Sequence, residues 1–250
     1  MKHRTIRGRI LYTSHKPERH GQKRGRESFI ITVHGDGNRT LRAHCEIDDA
    51  PCVLRDVTVN LDQEFYPTDC FVRLTIDDRF EGSGWMRFTN TRAECESWNA
   101  RDGRISQTID LDERIRWLGS HPIIGDALAF GIFDRSQGPG SRVFYPNMML
   151  TSPDHRGATG PMLFPLGFGI EYVGDETITV GAGTFEAHHL RYVDTAGELP
   201  EEHPPYDVWC TADGDFIFLK GAVGGYMQTY YELMELEHTT GPAYPGDISA

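Results

Sequence analysis

No run in this 250-residue chain approaches the roughly 18 consecutive apolar residues that a membrane-spanning helix requires, so a helical membrane protein is excluded. Cysteine is scarce and unpatterned. Cys45, Cys52, Cys70, Cys95 and Cys210 are odd in number and contain no C-x-x-C pair, which argues against a disulfide framework or a structural zinc site and for reduced thiols. The eleven histidines contain neither H-x-H nor H-E-x-x-H, so a metal site would need ligands from distant segments, and none is expected. A G-x-S-x-G elbow, a P-loop and a dinucleotide fingerprint are all missing. No cofactor is therefore expected. The basic N-terminal stretch MKHRTIRGRILYTSHK lacks the apolar centre and small-residue cleavage site of a signal peptide, and the cytoplasm is the expected compartment.

What the chain does have is a folded composition, 38% hydrophobic and 11% aromatic, with 27 glycines and 14 prolines to make many turns. Its charge is uneven. Residues 1–27 carry nine Lys/Arg against Glu18 and Glu27, a local charge of +7, which leaves −19 on the remainder of a chain whose net charge is −12. The acidic remainder excludes a nucleic-acid surface, and the basic arm reads as a hairpin whose charges face water or pair with the acidic body.

Short β-branched and aromatic runs broken by Gly, Pro and Asp turns fill most of the length. Thr5–Ser14, Ser28–His34 and Thr40–Ile47 read as N-terminal strands. Val53–Leu61, Asp69–Asp77, Phe80–Thr89, Arg92–Asn99 and Arg104–Leu111 continue as a first meander over 53–111. Pattern changes over 113–162: Pro122 opens a short helix near 122–133, Val143–Leu150 is a strand, and TSPDHRGATGPM is a polar loop. A C-terminal meander follows over 163–238, with strands at Thr177–Val180, Thr184–Val193, Asp207–Thr211, Phe216–Lys220 and Tyr226–Leu236, and Ala212-Asp213-Gly214 as a hairpin turn. Residues 239–250 read as a mobile tail. The fold class is all-β, one domain over 1–238. It is an antiparallel meander closed into a lipocalin-like barrel or two half-barrels, because so long a meander must protect its edges.

The segments TFEAHHLRYV, YDVWCTADGDFIFLKG and GGYMQTYYELMEL resemble the domain-of-unknown-function 3108 proteins of bacteria over roughly 170–237, with a weaker echo back to residue 53. The resemblance implies a lipocalin-like or lipoprotein-carrier-like curved sheet and brings no catalytic residues. Many proteins of that group look exported, whereas this N-terminus shows no signal peptide.

Candidate chemistry lies in three places. Asp154, His155 and Arg156 form a compact polar loop in which an acid beside a His sets tautomer and basicity while Arg steadies an oxyanion; a solvated surface turn is the alternative. His188 and His189 are successive strand residues and face opposite sides, so they cannot chelate together; His189 is the catalytic candidate. Tyr226 shares the face of the last strand with Gln228, Tyr230 and Glu232 and is a candidate acid. Gln228 and Tyr230, with Arg73, Lys220 and Trp209, are candidates for contacting substrate, although Trp209 also reads as core. The leading expectation is a cofactor-independent lyase or isomerase acting by acid/base chemistry on a small hydrophobic, aromatic-type molecule. Its rival is a non-catalytic carrier of lipophilic ligands. A homodimer is compatible with either.

Overall fold

The computed structural model describes residues 3–196, 199 and 203–240. Among these residues, fifteen strands form a single sheet. They are β1 (Arg4–Ser14), β2 (Lys23–Val33), β3 (Arg39–Ile47), β4 (Val53–Leu61), β5 (Pro67–Ile76), β6 (Arg79–Phe88), β7 (Arg92–Asn99), β8 (Gly103–Asp110) and β9 (Trp117–Gly119). After the helix come β10 (Arg142–Leu150), β11 (Phe164–Val180), β12 (Gly183–Ala196), β13 (Tyr206–Thr211), β14 (Phe218–Val223) and β15 (Thr229–Thr240). The spatial order is β8-β7-β6-β5-β4-β3-β2-β1-β15-β14-β13-β12-β11-β10-β9. Every neighbouring pair is antiparallel except β9 with β10.

Two meanders are thus joined at their first and last strands. β1 and β15 pair from Arg4–Thr240 to Ser14–Thr229. Alternation makes these strands: in β4, Val53, Arg55, Val57, Val59 and Leu61 all point inward, and in β2 the inward set is Gly25, Glu27, Phe29, Ile31 and Val33. Sheet edges β8 and β9 do not pair with one another, so the antiparallel all-β meander holds as a curved, unclosed sheet. Segment 160–163 covers the inner face near β8 in place of a ladder. Ser97 Oγ donates to the Pro161 carbonyl at 2.7 Å, and the Gln107 side chain exchanges two bonds with the Leu163 backbone. Gly84 makes room for this, since a Cβ there would meet the Pro161 ring at 3.0 Å.

The expected helix is α1 (Ile123–Leu128), continued by a 3-10 turn over Ala129–Ile132. It packs inside the curve against β13 and β14. Its first turn is held from the other half of the sheet. The Glu27 carboxylate of β2 accepts from Ile123 N at 2.7 Å and Ile124 N at 3.1 Å, and also from Tyr12 Oη at 2.7 Å and Cys45 Sγ at 3.5 Å. The helix therefore bridges the two meanders across the interior.

Several boundaries differ from the sequence reading: β2 begins at Lys23 and not Ser28, and β14 runs Phe218–Val223 and not Phe216–Lys220. Strand β11 begins at Phe164, thirteen residues before the expected Thr177, because its glycines at 167 and 169 dilute the alternation. Strand β15 begins at Thr229, since Gln228 takes φ 41° and Tyr226 stays in the preceding turn. Thr239 and Thr240 extend β15; the remainder of the expected tail lies outside the described residues. The basic arm pairs with the acidic body as expected, through Arg4–Asp215, Arg9–Glu235, Arg26–Glu46, and Arg19 and Arg24 with Asp49.

Candidate functional site

Two adjoining chambers lie between α1 and the inner face of the sheet. The first has a volume of about 290 Å³, at the lower end of the range typical of small-molecule sites. Apolar and aromatic groups dominate it: Trp117, Ile123, Met148, Leu150 and Phe168 on one side, and Tyr192, Tyr206, Val223, Met227 and Tyr231 on the other. The inward parity of β12–β15 explains this wall, because Tyr192, Tyr206 and Val223 are cross-strand partners on one face. The second chamber, about 220 Å³, shares His121, Ile123, His155, Tyr226, Met227 and Tyr231 with the first. Beyond that shared wall it is lined by Lys16, Arg19, Arg24, Arg55 and Arg156.

Three buried groups of the first chamber, His121, His203 and Asp126, are held in neutral forms. Burial, with the nearby Arg55 cation second, pushes the His121 pKa well below its ordinary value; His121 Nε2 meets the Ser152 carbonyl at 3.2 Å. Burial also lowers His203, whose Nδ1 meets its neighbour's carbonyl, Pro204 O, at 2.7 Å. The Asp126 carboxyl is pushed well above the carboxylate range, first by burial and then by the Glu27 charge. Close by is the buried Tyr206 hydroxyl, which interacts with that carboxyl and has no other side-chain partner. A protonated acid, neutral imidazoles and phenols suit a lipophilic guest and offer it a few donors.

The sequence candidates divide cleanly. Asp154 and His155 line the first chamber, His155 and Arg156 the second, and Tyr226 both. The His155 and Tyr226 rings meet edge to face at 5.9 Å between centroids. Asp154 does not hold the imidazole of His155. Its Oδ1 accepts from Arg156 N at 2.8 Å and Ala158 N at 3.3 Å, so it shapes the loop. Arg156 donates to the Ala50 carbonyl at 3.0 Å.

The other six candidates lie elsewhere. His189 stacks on Trp209 at 4.0 Å and bonds Asp207 at 2.7 Å on the convex face. Lys220 sits over Trp209 on the same side, and Tyr230 stacks on His15. Trp209 Nε1 donates to Glu176. Arg73 is exposed and covers the Phe80 ring. Gln228, in the turn before β15, bonds through its backbone to His15 and Gly224. Parity decides this: residues at His189, Trp209 and Lys220 pair across β12–β14 one position off from the Leu190–Val208–Gly221 row that faces inward.

Sequence reasoning missed Glu27, Arg55, His121 and Asp126. Glu27 and Arg55 had a visible signal, a charged residue at an inward position of an otherwise apolar stripe. At 1% and 2% exposure they are buried charges, which strands tolerate only with partners. Arg55 Nη1 donates to Thr151 Oγ1 at 3.2 Å and Ser120 O at 3.4 Å, and Nη2 to Gly157 O. Its Nε has no partner, and burial lowers its pKa to about 10, which leaves it cationic at neutral pH. No cluster of three or more His, Cys, Asp or Glu among the described residues is arranged to hold a metal.

No protein-family profile matches this chain, and no curated protein matches it. Solved structures do. A β-barrel-like protein of domain of unknown function DUF1849 from Brucella abortus superposes with a TM-score of 0.56 at 10% identity, over 94% of this chain and 97% of that one. A DUF1089-family protein from Pseudomonas aeruginosa aligns over 81% of this chain and 90% of that one, at 9% identity and a TM-score of 0.43. The first likeness supports the β-barrel-like fold, and at such identity it speaks for fold alone. Among the described residues, no helix is long and apolar enough to cross a membrane.

Proposed function

We propose that the protein binds a small hydrophobic molecule in the first chamber, as a carrier or sensor of lipophilic ligands. The observation that carries this reading is the lining: an aromatic and aliphatic cavity of about 290 Å³ in which burial holds His121, His203 and Asp126 uncharged. Transferring an apolar guest from water into such a space gains roughly 25 cal/mol per Å² of buried apolar surface, offset by the cost of association.

Acid/base catalysis as a lyase or isomerase is the second reading. Asp126, kept protonated beside the Tyr206 hydroxyl, favours it, since a neutral carboxylic acid at neutral pH is a proton donor. Five free thiols, four of them buried, support a reducing compartment such as the cytoplasm. The likeness to the domain-of-unknown-function 3108 group stays with the fold, and a homodimer remains part of the reading.

Trp117 tests it directly, because its buried indole lines the chamber while Trp85 and Trp98 are exposed. Titration with a ten-carbon alcohol should change tryptophan emission saturably, and Trp117→Phe should abolish the change. A linear, unsaturable response would refute a binding cavity. A compound consumed in a host extract, with loss of turnover in Asp126→Asn, would favour the enzyme.

A further inference from the structure

The second chamber carries a charge pattern that a purely lipophilic guest does not need. Among the described residues lining it are five cations, Lys16, Arg19, Arg24, Arg55 and Arg156, and no carboxylate, in a chain of net charge −12. Some of this charge is answered from behind: Asp49 binds both Arg19 and Arg24. One carboxylate shared by two guanidiniums leaves the group positive. Glu27 stands near by but is taken up by Tyr12, Cys45 and the two amides of α1.

Arg55 is the sharpest case. Its acceptors are two backbone carbonyls and a threonine hydroxyl, all neutral, and its Nε is buried without any. Asp154 is the acid whose field reaches it, and that carboxylate is engaged by the amides of Arg156 and Ala158. A buried guanidinium with no ion partner is costly to maintain, and pairing it with an anion offsets that cost. An Arg presents a planar fork suited to oxyanions.

We infer that the second chamber is an anion site centred on Arg55 and that the ligand is an amphiphile, with its apolar body in the first chamber and an oxygen-bearing anionic head, carboxylate or phosphate, in the second. This rests on the hydrophobic-ligand reading and adds the head group to it. The shared wall is compatible with one molecule occupying both. His121, His155, Tyr226 and Met227 reach it from connections between elements.

The test is calorimetric titration of the full chain with decanol, decanoate, decyl phosphate and inorganic phosphate. A charge-assisted contact predicts that decanoate or decyl phosphate binds about tenfold to a hundredfold more tightly than decanol. Arg55→Gln should shrink that preference to within about twofold, and Arg55→Lys should keep part of it. Decanol binding as tightly as both acids would overturn the head-group inference while leaving the hydrophobic reading intact. No binding of any ten-carbon probe would refute the hydrophobic reading itself. Inorganic phosphate binding as tightly as decyl phosphate would make the site one for a free anion and overturn the amphiphile. Should Arg55→Gln fail to fold, decanoate labelled with carbon-13 at its carboxyl answers on the native protein. Its bound pKa should fall below the free value, and a raised one would overturn the inference.

Discussion

Replacing Glu27 with Gln tests how α1 is held over the chambers. The carboxylate receives four donors: Tyr12 Oη and Ile123 N at 2.7 Å, Ile124 N at 3.1 Å and Cys45 Sγ at 3.5 Å. An amide of the same shape can present only one oxygen. Its nitrogen must then face an N–H, and the least costly orientation sets it against Ile124. One hydrogen bond to a charged group, worth about 1.5–3 kcal/mol, is lost, and the others weaken as the charge disappears. Relief from burying an ion returns part of this. The expected net loss is about 2–3 kcal/mol, read as a lower urea midpoint at unchanged slope. A Tyr12→Phe/Glu27→Gln cycle should show coupling, because the two side chains share a bond.

The pH dependence supplies a second check on the same variant. Burial, outweighing the donors, raises the folded-state pKa of Glu27 above its ordinary 4.5. The native state therefore takes up a proton before the unfolded state does. Wild-type stability attributable to this group grows as pH falls from above the raised value toward 4.5 and is flat below. Gln does not titrate, so the gap between wild type and variant should widen on acidification. An unfolding free energy within about 0.5 kcal/mol of wild type would refute the clamp, and a gap that narrows in acid would refute burial as the dominant influence on Glu27.

Gly157→Ala should destabilise by about 2 kcal/mol or more in the same denaturation assay, since Gly157 has φ 65° and a Cβ there would meet the Arg55 guanidinium at 2.6–2.7 Å. An unchanged midpoint would show that Arg55 does not pack against this loop. Thiol reactivity should separate the cysteines: Cys52 is exposed, while burial raises the pKa of Cys45, Cys70, Cys95 and Cys210. Ellman's reagent should titrate one thiol per native chain quickly and all five after unfolding, and rapid release of more than one would contradict the packed interior.

Much of the sheet was legible because its strands alternate and its turns are spelled in Asp, Gly and Pro. Val53–Leu61 and Arg92–Asn99 match residue for residue, and Pro122 placed the helix. The candidates at 154–156 and Tyr226 lie in the lining of the chambers. What alternation leaves open is which face is concave, and that is set by curvature of the whole sheet. His189, Trp209 and Lys220 fell on the wrong side for this reason. Tyr226 reaches the cavity by a turn the strand pattern hid. Arg55 was not singled out because V-L-R-D-V reads as a strand with polar breaks, when only Asp56 is a break and Arg55 lies within the stripe.

The pairing of β1 with β15 also sets the order in which the chain can be assembled. On the ribosome β1 is made first and β15 last, so the seam at the middle of the sheet waits for synthesis of everything between them. Until then β2–β8 can meander on one side of β1, whose other flank stands open as an unpaired strand edge. Such long-range closure is slow, and an open edge is vulnerable to pairing with a neighbouring nascent chain. The arginines of β1, at positions 4, 7 and 9, give that waiting edge a like charge in every copy. The last strand answers that charge when it pairs, with Glu237 opposite Arg7 and Glu235 opposite Arg9.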